Sequence, residues 1–486
     1  MKGKTILMAM ALALWSCSGN ISPQEVVPRT AFIYPDYTEV TVPQTIAPLN
    51  FVCEEAGCTK VQAVFKGNNE SFSVSGDYIR IPSKKWHKLL GENGGGSIEV
   101  TVSAKISGVW KEFSPFKIYV STDAVDYGVA YRKIAPGYEY FSRMGIYERE
   151  LSSFNEKAII ENTLSPGMCV NCHSFNKTSP EKMSLHIRGA HGTTIMSTPS
   201  AMEFLDTATD STEGNFVYPY WHPSGDYIAY STNTTRQGFH TAADRRVEVF
   251  DFKSDIIVYQ PSTRKVLISN LLNRTESLET LPAFSPDGRT LYFSRAENKP
   301  LPQEYDSLRY NICSIAFDPE TGRFGDEIRT VFDAASLGES ATCARPSYDG
   351  RHILFTLADY GYFTIWHKEA ELWMLDLESG EARPASELNS DDTESFHNWS
   401  SNSRWVVFTS RRDDGLYTRL YIAHIDAEGN CSKPFLLPQE NPEEYYASSL
   451  YSYNVPDFVN APVKMDTRKA RKGIESQHRT KCTAEK

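Results

Sequence analysis

Beyond its first residues, the 486-residue chain has no segment that approaches eighteen uninterrupted apolar residues, so no transmembrane helix is expected in its body. It also lacks an excess of positive charge. Lys and Arg number 50 against 61 Asp and Glu, a formal net charge of -11, and the general electrostatic footprint of a nucleic-acid binder is missing. No G-x-S-x-G elbow is present, which removes the usual serine-hydrolase nucleophile. There is one C-x-x-C pair and no second, so a zinc-finger-type site lacks half its ligands. Apolar residues at 40% and aromatics at 12% are ample for folded cores, and the length points to two or three domains.

The first residues read as an export signal. Lys2 and Lys4 precede the apolar run TILMAMALALW, too short to span a bilayer comfortably. LWSCSGN then resembles a bacterial lipobox: Leu14 lies three residues before Cys17 and small Ser16 directly before it, although Trp15 is bulkier than usual. On this reading residues 1–16 are removed and Cys17 becomes the lipidated amino terminus. The mature chain is then exported and anchored at the cell envelope, facing the periplasm or at the outer membrane, without spanning it. An exported chain can form disulfides and can meet the machinery that attaches haem. Cys53 and Cys58 are spaced for a local disulfide across a turn, whereas Cys313, Cys343, Cys431 and Cys482 stand singly and their spacing implies no pairing.

Residues 27–122 alternate in the manner of strands, in EVTVPQTI, VQAVF, SFSVSGDYIRI and SIEVTVSAKISGVWKEFSPFKIYV. Short strands between Gly, Pro and Asn clusters suggest an immunoglobulin-like β-sandwich. Over 136–165 the period changes. Met144, Tyr147, Leu151, Phe154 and Ala158 fall three or four apart, the spacing of one helix face. Residues 123–183 are therefore read as a helical linker carrying the CVNCH segment, with that stripe as its packing face.

From 184 to 456 the strand pattern repeats. YPYWHPSGDYIAYSTN, LPAFSPDGRTLYFSRAE, ARPSYDGRHILFTLAD and FHNWSSNSRWVVFTSRRDDG share one plan, with Gly225, Gly288, Gly350 and Ser403 as equivalent points. One such unit cannot bury both its faces, so a radial array is expected: a mainly β chain with a β-propeller of about six blades, five or seven being alternatives. HPSGDYIAYS and FSPDGRTLYFS resemble the repeats of TolB-like β-propellers; His222 and Ser224 depart from that pattern, and Asn402 and Ser403 replace Asp-Gly. The resemblance implies a binding scaffold more than a catalyst. Trp221, Phe284 and Trp399, at matching positions, are expected to be buried. Residues 457–486, with VKMDTRKARKGIESQHRTK, read as a disordered basic tail.

CVNCH is the C-x-x-C-H attachment motif of c-type haem. Cys169 and Cys172 would form thioethers to the porphyrin, and His173 would be the proximal iron ligand. With this composition a chance match has a probability of about 0.4%. A redox dithiol, a metal site and a disulfide remain as rivals; the disulfide leaves His173 unexplained. For the iron's other face the chain offers His186 and Met183 first, then His191 and Met196. If MSLHIRG is a strand, Met183 and His186 point to opposite faces, and an open position stays an alternative. The whole arrangement resembles exported Bacteroidetes-type proteins described as TolB-like or cytochrome c related, which implies haem c and propeller together without naming a reaction. Two functions follow. One is an envelope cytochrome exchanging electrons with a protein partner. The other is a TolB-like interaction or ligand-binding propeller in which CxxCH is structural or sensory. No catalytic residue is assigned, and any small-molecule ligand is unknown.

Overall fold

Pairing of the strands yields six blades, each with four antiparallel strands running outward from a central channel. The computed structural model describes residues 21–135, 143–209, 212, 215–241, 246–476 and 478–485. Blade one is assembled from two distant parts of the chain. Gly128–Ile134, Gly145–Glu150 and Glu156–Glu161 form its outer strands, and Ser452–Val459 pairs with Gly128–Ile134 as its innermost. The innermost strands of blades two to six are Met168–Asn176, Phe216–Trp221, Ser277–Phe284, Ser340–Pro346 and Glu394–Trp399. Each of the six touches the next, and Met168–Asn176 touches Ser452–Val459, which closes the ring.

The repeat motif is the turn between the first and second strands of a blade. Gly225, Gly288 and Gly350 sit at φ values of 74°, 73° and 75°, a left-handed conformation that glycine adopts without penalty. In blade six Ser403 takes the same conformation at 60°, and Asn402 replaces the aspartate: Ser400 Oγ donates to Asn402 Oδ1 at 2.7 Å, as Ser285 Oγ donates to Asp287 at 2.5 Å. Blade two makes this connection with Lys177 and Thr178, both at positive φ (47° and 62°), the signature of a tight hairpin turn. The aromatic before each turn goes inside. Trp221, Phe284 and Trp399 are 3%, 1% and 1% exposed, as expected, each burial contributing roughly 2–3 kcal/mol.

Every innermost strand carries a β-bulge, the register shifting between Val170 and His173, Val217 and Tyr220, Thr280 and Ala283, Thr342 and Arg345, Glu394 and His397, and opposite Ala130 to Arg132. At four of them a residue within the bulge has positive φ: Tyr218, Leu281, Cys343 and Val455. A bulge bends its strand and re-aims a side chain, and six at one level turn side chains into the channel.

Three expectations need correction. Gly145–Glu150 and Glu156–Glu161 are strands joined by a turn, not a helix. Tyr147 and Ala158 are direct partners across Gly145–Glu150 and Glu156–Glu161, so the helix-like spacing came from two strands facing one another. The propeller therefore begins near 128, and CVNCH lies on a blade strand, not on a linker. Residues 457–486 are not a disordered tail: helix Thr467–Glu475 buries Ala470 and Ile474, and Thr480–Lys481 and Thr483–Glu485 add parallel edge strands to blades two and three. The basic residues that suggested a tail occupy the open face of that helix. Thirdly, the β-module over 27–122 forms one seven-stranded network, a two-stranded ribbon and helix Ser83–Glu92. Central strand Ser97–Ile106 pairs along one edge with Cys58–Lys66, and along the other with both Phe116–Ser121 and Val109–Phe113, so the pairing does not divide into two separate sheets.

The module is not a loose appendage. Its core residues, among them Tyr37, Phe51 and Trp86, belong to one apolar cluster with Trp405 and Ile422 of blade six and Val129 of blade one. Trp405 Nε1 also donates to the Asp123 carbonyl at 3.2 Å. No helix among the described residues is long and apolar enough to cross a membrane. Cys17 lies outside the described residues.

Candidate functional site in the central channel

CVNCH occupies the bulged half of the innermost strand of blade two, which places Cys172 and His173 on the channel. His173 is 2% exposed, and neither ring nitrogen has a hydrogen-bond partner. Burial, reinforced by the positive charge of Arg132, pushes its pKa down to about 3, so the ring is neutral and keeps a lone pair for a ligand. Phe175 packs edge-on against it, centroids 5.8 Å apart.

Cys169 is half-buried at the start of the same strand. Its Sγ lies 3.6 Å from Met144 Sδ and 3.8 Å from Arg132 Nη2. Arg132 is fixed by Nε donating to the Val170 carbonyl at 2.8 Å, and burial pushes its own pKa down. Cys169 and Cys172 are free thiols, as are Cys53, Cys58, Cys313, Cys343, Cys431 and Cys482. Cys53 and Cys58 are neighbours without a bond between them, and burial pushes the Cys53 thiol up to about 12.

The candidate distal ligands separate by face. Directly paired residues point the same way; His173 pairs with Leu185 and Phe175 with Met183. Met183 thus shares the His173 side of the sheet, inside an apolar cluster with Phe175, Leu185 and Ile146. His186 faces the other side, 1% exposed, with Nδ1 3.1 Å from Thr194 Oγ1 and Nε2 without a partner. Burial and then Arg188 push its pKa down to about 3. Met196 packs with Trp221 and Tyr230 of blade three; His191 lies in the turn between the second and third strands of blade two.

The donors fit a c-type haem: two thiols outside any disulfide and a neutral imidazole with both nitrogens unengaged. The enclosed space fits it poorly. The cavity against Cys172 and His173 measures about 30 Å³, room for two or three water-sized groups. Seating a macrocycle requires the lining to part.

One belt of residues escaped the sequence reading. Ser174, Tyr220, Ala283, Arg345, Asn398 and Asp457 each precede the last aromatic or proline of an inner strand, and all but Ala283 line the channel cavities. The signal was the column before Trp221, Phe284 and Trp399 in the repeats. Asp457 accepts from Asn398 Nδ2 at 2.7 Å and from the Phe175 amide at 3.3 Å. Burial nevertheless pushes its carboxyl up to about 7. Away from this belt, buried Glu248 accepts from Tyr360 at 2.5 Å and stands 3.3 Å from both His240 and His367. Among the described residues no group of three His, Cys, Asp or Glu is arranged to hold a metal ion.

No protein-family model and no curated protein matches the chain by sequence. Solved structures similar to it include prolyl oligopeptidase B from Galerina marginata, at 11% identity and a TM-score of 0.37, covering 69% of this chain and 42% of that one. An oligogalacturonate lyase in complex with manganese matches at 12% identity and a TM-score of 0.31, covering 64% and 86%. A DUF4784 family protein from Bacteroides caccae matches at 7% and 0.30, covering 74% and 95%. The chain thus spans less than half the length of the oligopeptidase.

Proposed function

We propose that the protein is an exported, lipid-anchored propeller that carries haem c on the inner strand of blade two. Cys169 and Cys172 would hold the porphyrin, His173 would be the proximal ligand, and the protein would exchange electrons with an envelope partner. The observation that carries this reading is the His173 ring, buried with neither nitrogen bonded. A native buried polar group is nearly always paired, and an unpaired one costs about 1–3 kcal/mol. Such a ring, one residue from a free thiol and four from a second, has the chemistry that a proximal haem ligand would need. The haem supplies a redox couple when bound. The chain's own part is to hold the imidazole neutral by burial and to place Arg132 beside the Cys169 thiol. Lipidation at Cys17 would tether the propeller to the membrane. Of the distal candidates, Met183 is the better placed because it shares the proximal ligand's face.

A second reading rests on the narrowness of the cavity: a TolB-like scaffold in which CxxCH is structural or sensory and binding takes place at the channel or on the blades. One measurement separates the two. Expression with haem-attachment machinery should give a protein whose haem survives denaturing electrophoresis and shows a c-type pyridine haemochrome spectrum, both lost in the Cys169→Ala, Cys172→Ala double variant. Colourless protein from a host that matures a control cytochrome sinks the first reading and leaves the second.

A further inference from the structure

Two small cavities are stacked along the channel, about 30 Å³ beside Cys172 and His173 and about 20 Å³ on the side of the repeat turns, and both are lined by Ser174, Tyr220, Asn398 and Asp457. Arg345 lines the larger one. Its guanidinium carbon lies 5.3 Å from the centre of the Tyr220 ring. Among the described residues its one hydrogen bond runs from Nη1 to the adjacent Ala344 carbonyl, at 3.1 Å. A guanidinium offers five donors in a rigid fork, and inside a channel one backbone acceptor leaves most of them unused.

The nearest acid does not fill the gap. Asp457 is engaged by Asn398 and the Phe175 amide, and its high pKa leaves it partly protonated near neutrality. Asp126, the other acid that acts on Asp457, is itself buried, accepts from the Ser401 amide and has its carboxyl raised by burial. At the turn side the exposed Lys177 lines the mouth. The channel thus presents a fixed cation, a positive entrance and acids inclined to be neutral. A planar fork of donors matches a carboxylate in shape as well as charge, and the volume sets the size at two or three heavy atoms.

We propose that the belt of the channel binds one small carboxylate, of formate size, in the fork of Arg345, with Tyr220 and Asn398 beside it. The residues that hold the anion lie outside the CVNCH motif, but Cys172 and His173 line the same cavity, so the proposal concerns the haem-free chain.

Calorimetric titration of the full-length chain, produced without haem-attachment machinery, with sodium formate, against sodium chloride at equal ionic strength, tests it. Expected are saturable one-to-one binding of formate, an affinity loss of roughly tenfold or more in Arg345→Gln, and no binding of benzoate, whose ring exceeds the cavity. The Cys169→Ala, Cys172→Ala protein, which cannot attach haem, should still bind formate saturably within a few-fold of that affinity, because the fork of Arg345 is intact, which separates this result from any failure of haem attachment. If Arg345→Gln does not fold, Arg345→Lys keeps the charge without the fork and should weaken binding several-fold. Formate heats no different from chloride, an unchanged affinity in a folded Arg345 variant, or benzoate binding as tightly as formate overturns the proposal.

Discussion

The Asn398 side-chain amide donates to the Asp457 carboxylate at 2.7 Å across the seam where blade six meets the strand that completes blade one. This bond ties the last two inner strands of the ring together at the level of the belt. Replacing Asn398 with Ala leaves a buried carboxyl one donor short, and should lower unfolding stability by about 1–3 kcal/mol. Urea denaturation followed by tryptophan emission reads the change; a loss no larger than that of an exposed control such as Asn68→Ala would show the seam bond to be idle.

Ending the chain at 451 removes the innermost strand of blade one and leaves Gly128–Ile134 with an open edge on the channel side. No cooperative unfolding transition is expected from that protein. Ending it at 465 removes only the helix and the two edge strands on blades two and three, and should preserve a cooperative transition at a lower midpoint. Equal behaviour of the two truncations argues against closure of the ring through Ser452–Val459.

Trp399 is fully enclosed in the cluster between blades five and six, and its Nε1 donates to the Arg345 carbonyl at 2.9 Å. Trp399→Ala should cost about 3–5 kcal/mol. Because that carbonyl holds the backbone of the belt arginine, Trp399→Phe, which keeps most of the volume and loses the donor, should lower stability by about 1 kcal/mol and weaken formate binding without abolishing it.

Two buried acids set a pH dependence. Burial pushes Asp251 up to about 8 and Glu279 up to about 7, whereas both ionise near 4 in the unfolded chain. The folded state therefore binds more protons between these values, and its stability from these groups is fully present below about pH 4 and lost as pH rises through 7 and 8. The thermal midpoint should fall between pH 6 and 8, and Asp251→Asn should flatten that limb. A midpoint rising over the interval in the wild type, or a limb unaltered in the variant, contradicts the assignment.

The local parts of the fold were legible. The turn residues Gly225, Gly288 and Gly350 announce themselves because positive φ leaves few substitutes, and the aromatic before each turn marks the inside. Blade one was hidden for a physical reason: its inner strand and its partner lie some three hundred residues apart, and no window along the chain contains both. Periodicity misled at Tyr147 and Ala158 because two short strands joined by a turn can mimic a helical stripe. CVNCH was visible as a motif but not as a strand, since its cysteine and histidine spacing advertises chemistry rather than secondary structure. Arg345 and Asp457 carry no motif at all and become neighbours only when six strands converge.

The joining of Ser452–Val459 to Gly128–Ile134 also orders events in time. Contacts between distant parts of a chain form after local hairpins, because their loop entropy has to be met first. Blades two to six can each fold as local hairpins while the ring stands open beside Met168–Asn176, the strand that bears CVNCH. Until the final strand docks, Cys172 and His173 face a gap one strand wide instead of a cavity that holds a few waters. On that order the seam would shut last, and a group larger than the cavity would have to enter the channel before closure.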